Sequence, residues 1–181
     1  MTEGLPYQPF YCEENIFQLA QGPRITAPAG ALFITNHARA VSMTGQRGGA
    51  RGHAGDVLVW DYHVVLLTTG GRPEVWDPNS TYGAPVLASG YLNMSFPQGV
   101  PQEYRPRFRF VPRSRFLRDF RSDRRHMKTI DGGWLKPPPS WPLAGPGHTL
   151  ERFLDLDDPW GGLVMSMQEL QLALTRRRLG R

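Results

Sequence analysis

The chain has 181 residues, 40% apolar and 11% aromatic, which is enough for a buried core and too apolar for a disordered segment. Its apolar runs, such as Val64 to Leu67, fall far short of the roughly 20 residues of a spanning helix. Its start, M-T-E-G-L-P, has neither a basic nor an apolar signal region, so a cytoplasmic setting, nuclear as well in a eukaryote, is expected.

The net charge of +5 rests almost wholly on arginine, since Lys128 and Lys136 are the only lysines. The single cysteine, Cys12, excludes an internal disulfide and a Cys-rich zinc site.

In chain order, E-E-N-I-F-Q-L-A-Q places Ile16, Leu19 and Ala20 at helical spacing, and predicts a helix over 13–21. Glu13 and Glu14 suit its positive first turn, and Gly22-Pro23 ends it. Ala31 to Thr35 reads as a short strand. Asn36 to Gly55, rich in Gly and Arg, reads as a mobile surface loop. Val57 to Thr69 is the strongest strand, and E-V-W-D from Glu74 returns after Gly70-Gly71 as the second arm of a β-hairpin.

Arg107 to Val111 alternates, which predicts Phe108 and Phe110 inward and Arg107 and Arg109 in water. Ser114 to Met127 reads as a helix. The P-P-P-S-W-P run, Pro137 to Pro142, reads as polyproline II packed on the surface. Ser166 to Glu169 has capping-box spacing and starts a last helix toward Arg176. With no repeat and no clear linker, residues 1–181 are expected to form one α+β domain.

The chemistry centres on Y-C-E-E-N. Cys12 sits just before a predicted helix, where the dipole and free N–H groups favour a thiolate. His37, His53 and His148 lie in loop-like sequence, whereas His63 stands inside the strongest strand. His63 and Asp77 are an even number of residues apart, so a hairpin turn that keeps parity puts them on one sheet face. A three-residue turn at Thr69–Gly71 sets them opposite, one at Gly70–Arg72 sets them diagonally, and a two-residue turn parts them. Asp61 shares the face of His63 and is the rival carboxylate. A Cys12–His63–Asp77 triad is thus one reading of the spacing.

Y-C-E-E-N, W-D-Y-H-V-V-L-L, V-W-D, R-F-R-F, F-R-S-D-R-R-H-M and W-L-K-P-P-P-S-W-P occur in that order. In this set the chain resembles the protein N-terminal glutamine amidohydrolase family, enzymes that convert an N-terminal glutamine to glutamate. The resemblance implies Cys12, His63 and Asp77 as the catalytic triad, a thioester intermediate and no metal or organic cofactor. It also implies a papain/transglutaminase-like fold, with a cysteine-bearing helix packed on an antiparallel sheet bearing histidine and aspartate. Gln21 to Gly55, Pro78 to Pro101 and the segment after Trp160 match less closely.

Substrates would be proteins or peptides with N-terminal glutamine, met by a monomer without nucleic acid or membrane. Selection for a chain terminus requires an acceptor for its α-ammonium, and Glu14, Asp61 and Asp123 are the candidates. His126 is expected to be structural, with a place in the pocket lining as the alternative. Two rival readings remain. One is another cysteine-triad acyl-transfer enzyme. The other is a nucleic-acid-binding module built on Arg105 to Phe116, whose aromatics would stack on bases.

Overall fold

The structure, a computed structural model, describes residues 4–47 and 56–179. The chain opens with helix α1 (Cys12–Gln21) and strands β1 (Ala29–Thr35), β2 (Val41–Met43), β3 (Leu58–Trp60), β4 (His63–Thr68), β5 (Glu74–Trp76) and β6 (Val86–Leu87). Helix α2 (Ala88–Ser95), strand β7 (Arg107–Pro112), helices α3 (Arg113–Asp119) and α4 (Leu150–Leu154), strand β8 (Val164–Met165) and helix α5 (Met167–Thr175) complete it. Six strands form an antiparallel sheet in the order β6-β5-β4-β1-β7-β8, while β2 and β3 pair separately.

Both faces of the large sheet are covered, which explains the near-continuous apolar run of β4. Val64 and Leu66 join Ile16, Leu19, Phe33, Phe116, Phe120 and Phe153 in one core, under α1, α3 and α4. Val65 and Leu67 join Leu32, Ile34, Tyr91, Phe108 and Leu170 in the other, under α2 and α5. The same sandwich corrects the reading of Arg107–Val111. Arg109 is only 1% exposed, on a covered face. Its guanidinium donates to the carbonyls of Arg152, Phe153 and Asp158, answering the free carbonyl groups at the end of α4.

Three further expectations change. The strand expected over 57–69 breaks at Asp61–Tyr62. There the Asp61 side chain accepts from the Tyr62 N–H and its carbonyl accepts from the Thr35 hydroxyl, so the chain passes from the small sheet into the large one. The loop expected over 36–55 contains the fully buried strand β2 and the buried side chain of Gln46, while residues 48–55, His53 among them, lie outside the described residues. The helix expected over 114–127 stops at Phe120. Ser122 and Asp123 accept backbone N–H bonds from two residues on, and Arg124 takes a left-handed φ of 61°.

α1 and α5 form as expected. Gly22 closes α1 by donating to Gln18 and Leu19, and Ser166 and Glu169 make both bonds of a capping box. The proline run lies across the start of α1. Pro137 there accepts from the Gln8 side chain, and the Lys136 carbonyl accepts from the Tyr11 hydroxyl.

Candidate active site

The β4–β5 hairpin sets Leu66 opposite Trp76 and Leu67 opposite Val75. Extended by register, this is the diagonal arrangement, with His63 and Asp77 on one face two positions out of line. His63 Nε2 lies 3.1 Å from Asp77 Oδ1, angled off the N–H axis, with the two side chains 2% and 1% exposed.

Asp77 is held on every side. Its Oδ1 also accepts from the Asn79 N–H at 2.9 Å, and its Oδ2 accepts from Gln46 Nε2 at 3.0 Å and the Tyr91 hydroxyl at 2.7 Å. Burial works to raise the Asp77 pKa, but His63, Gln46 and Tyr91 outweigh it and hold the carboxyl below its ordinary value. Tyr91 in turn is pushed well up by burial and by the Asp77 charge, so it stays a donor.

With Nε2 turned to Asp77, the other ring nitrogen of His63 is the one left for a neighbour. Trp60 lies against the His63 ring at 5.8 Å between centroids and limits its rotation.

Cys12 is the first residue of α1, and α1 packs on β4, which brings the thiol to the strand that carries His63. Both line one cleft of about 470 Å³, together with Trp60, Asp61, Tyr62 and His126. The helix start, however, does not activate the thiol by itself. Burial first, and then the Glu13 carboxylate with an oxygen 3.6 Å from the sulfur, push the Cys12 pKa well above its ordinary value. The Val64 backbone N–H acts in the opposite direction. Burial and the Glu13 charge both favour the thiol form of Cys12.

Every residue of Y-C-E-E-N has a fixed place. Asn15 accepts from the Gln8 N–H at 2.8 Å and donates to the Gln8 carbonyl at 3.0 Å, which pins the turn ahead of the helix. Glu13 is fully buried; it accepts from the Tyr62 hydroxyl at 3.1 Å and lies 3.3 Å from His126 Nε2. Burial acts to lower the His126 pKa, and the Glu13 carboxylate overcomes it and raises the value.

The three carboxylates expected to meet an α-ammonium part company. Glu14 receives both guanidinium arms of Arg124 at 2.9 and 2.7 Å and the Trp141 indole N–H at 2.9 Å, and does not line the cleft. Asp123 is bonded to Arg125, which holds its carboxyl down at about 2, and also stands away from the cleft lining. Asp61 does line the cleft and is exposed. Its carboxylate takes one hydrogen bond among the described residues, a local one from the Tyr62 N–H, and forms no ion pair among them.

The profile of a family described as N-terminal glutamine amidase matches residues 7–174. Proteins called protein N-terminal glutamine amidohydrolase from Drosophila ananassae, Drosophila pseudoobscura pseudoobscura and Drosophila erecta are each 36% identical to the chain over 177 residues. The match covers 90% of this chain and 85% of theirs. The chain belongs to the N-terminal glutamine amidase family.

As a member of that family, it carries parts of the site that sequence reasoning missed. Gln46 and Tyr91, which hold Asp77, come from stretches that read as loop or matched the family blocks loosely. No spacing rule pointed to them. Glu13 and Tyr62 lie inside quoted blocks, yet their pairing joins positions 49 residues apart.

Among the described residues of this glutamine amidase family member, no group of three His, Cys, Asp or Glu side chains could hold a metal ion. Three of the five arginines of 105–116 are engaged internally, while Arg105 is exposed and donates to the Val100 carbonyl. Arg109 bonds α4 carbonyls, Arg113 donates to the carbonyls of Ala20, Ile25 and Gly22, and Arg115 donates to the Trp160 carbonyl.

Proposed function

We propose that this protein hydrolyses the side-chain amide of an N-terminal glutamine in proteins or peptides, leaving glutamate and releasing ammonia, through Cys12, His63 and Asp77. The carrying observation is the buried His63–Asp77 contact of 3.1 Å at a cleft that Cys12 also lines. Family membership supports the choice of reaction over protease or transglutaminase chemistry on a similar triad. A cysteine helix against an antiparallel sheet bearing histidine and aspartate is the papain/transglutaminase plan.

In this reading the resting thiol passes its proton to His63 as the sulfur attacks the carboxamide carbon. Asp77 steadies the imidazolium so formed and fixes its ring. The tetrahedral oxyanion meets N–H groups at the start of α1, which have no acceptor within the helix. His63 returns the proton to the leaving nitrogen, ammonia departs, and a thioester remains. His63 then takes a proton from water as the water attacks, and collapse of the second intermediate restores the thiol and frees glutamate. Asp61 receives the substrate's α-ammonium, since it is the one candidate of the three carboxylates at the cleft.

The chain acts as one domain and a monomer, in a reducing cytoplasmic setting that keeps its single thiol free. The test is ammonia release from a glutamine-led peptide, by the native chain and by Cys12→Ala, beside the same peptide with an acetylated terminus. Release by the native chain alone, and only from the free terminus, is expected. Full activity in Cys12→Ala refutes the triad, and equal rates on the acetylated peptide refute terminal selection.

A further inference from the structure

The cleft that holds Cys12 and His63 has a neighbour. A second hollow of about 370 Å³ lies between the Asn36–Ala40 turn and the 151–157 segment, with Leu154 and Leu156 in its lining. The two hollows have Arg39 and Glu151 in common. The guanidinium and carboxylate of these residues meet at 3.1 Å, with side chains 37% and 62% exposed. An ion pair so exposed contributes little to stability and is easily exchanged for other partners.

The turn that presents Arg39 is built with unusual care. Asn36 accepts from the Ala40 N–H and donates to the carbonyls of Ala40, Glu103 and Arg105. Arg39 itself stands at a left-handed φ of 49°, a strained backbone for a non-glycine residue. Such a cage fixes where His37 and Arg39 point, in a region where α4 supplies Glu151 and Arg152 from across the hollow.

The rim of the second hollow carries both signs. Arg39 and Arg152 face Glu151, Asp155 and Asp157, and His37 lies 3.4 Å from Asp157. A rim of one sign would select a charged ligand. Donors and acceptors together, beside Leu154 and Leu156, instead suit an uncharged, extended main chain, which offers both N–H and C=O groups.

Resting on the proposed reaction, we infer that the two hollows form one groove, and that the second takes the main chain of a polypeptide substrate beyond its first two residues. The terminal glutamine occupies the cleft at Cys12. The chain then crosses the Arg39–Glu151 pair and lies between the 36–40 turn and the 151–157 segment. Recognition there is of backbone rather than of side-chain identity, which suits an enzyme acting on many protein termini.

The experiment compares kcat/KM for glutaminyl-alanine amide with that for a glutamine-led hexapeptide amide of alanine and glycine, both free of charged side chains. In the native chain the hexapeptide is expected to be better by about tenfold, the factor that one or two net hydrogen bonds supply. The ratio of the two values should fall to about one in Arg39→Gly, which suits the left-handed backbone, and in Leu156→Trp, which fills the hollow. A native ratio near one overturns the inference, and so does a ratio that survives in both variants. Inactivity on both substrates overturns the proposed reaction itself, and the inference with it.

Discussion

Glu14→Gln separates two roles for a carboxylate two residues from Cys12. In the structure Glu14 is 1% exposed and takes three charge-assisted bonds, two from Arg124 and one from the Trp141 indole. Arg124 is itself buried, so neutralising its partner leaves a cation with no opposing charge at that site, only the Pro139 and Trp141 carbonyls and one amide oxygen. Removing one member of a buried pair costs about 3–5 kcal/mol. Glutamine keeps one acceptor, which places the expected loss near the lower end of that range, about 3 kcal/mol. For a chain of this size that is a fall in Tm of roughly 6–12 °C.

The measurement is thermal unfolding followed by circular dichroism, with kcat and KM on a glutamine-led peptide taken well below the transition. A large fall in Tm and a KM within about threefold of native are expected, since in the proposed reaction the exposed Asp61 carries the amine contact. A Tm within about 2 °C of native together with a KM raised tenfold or more would refute it, and would make Glu14 a reader of the substrate amine.

Asp77→Asn is expected to lower kcat by about four orders of magnitude, as loss of the orienting carboxylate does in other triads, with KM little changed; a fall under tenfold in steady-state assays removes Asp77 from the triad. Asp61→Asn is expected to raise KM for free-terminus peptides by at least about tenfold, the loss of one charge-assisted contact, and an unchanged KM moves the amine contact elsewhere. Glu13→Gln removes the negative charge 3.6 Å from the sulfur; iodoacetamide should then alkylate Cys12 faster at neutral pH, and a slower rate contradicts the account of the thiol. Because the folded Asp77 carboxyl lies below its ordinary value of 3.8, its stabilisation is complete above that value and is lost as pH falls below it. Urea midpoints from pH 6 to pH 3 should drop more steeply in the native chain than in Asp77→Asn, and parallel curves refute this.

What the sequence showed and what it hid divide along a physical line. Signals carried by period and parity were readable, because they need only local geometry. The helix after Cys12, the hairpin and the common face of His63 and Asp77 are of this kind. Arg109 was misplaced for a related reason: alternation tells which residues share a face, not whether that face meets water, and here both faces are covered. The helix from Ser114 was read too long because the phenylalanine spacing ends without a proline or glycine; the stop comes from side-chain bonds of Ser122 and Asp123. Glu14 could not be assigned from its type, since its partner Arg124 stands 110 residues away in the chain. Gln46 and Tyr91 show the same limit, as two ordinary residues that matter because Asp77 lies between them.

The thiol is the point on which magnitudes decide. Cys12 begins a helix, and a helix N-terminus favours an anion by about 0.3–1 kcal/mol, up to about 2 when partly buried. Glu13 opposes it from 3.6 Å, and two unit charges about 4 Å apart interact by about 4 kcal/mol at an effective dielectric of 20. The Tyr62 hydroxyl and a protonated His126 offset part of that, but burial of the sulfur adds to the carboxylate's effect. The carboxylate and burial together outweigh the dipole and favour the thiol. In the proposed reaction the proton then leaves during the attack, and His63 takes it. In that reading the hold on His63 matters more than the helix does, which gives a reason for the three hydrogen bonds that fix Asp77. The thiol form also protects the site: a thiol is a far poorer target for oxidants and stray electrophiles than a thiolate. Removing Glu13 should therefore yield a cysteine that reacts faster with iodoacetamide and oxidises faster in air, at the same pH.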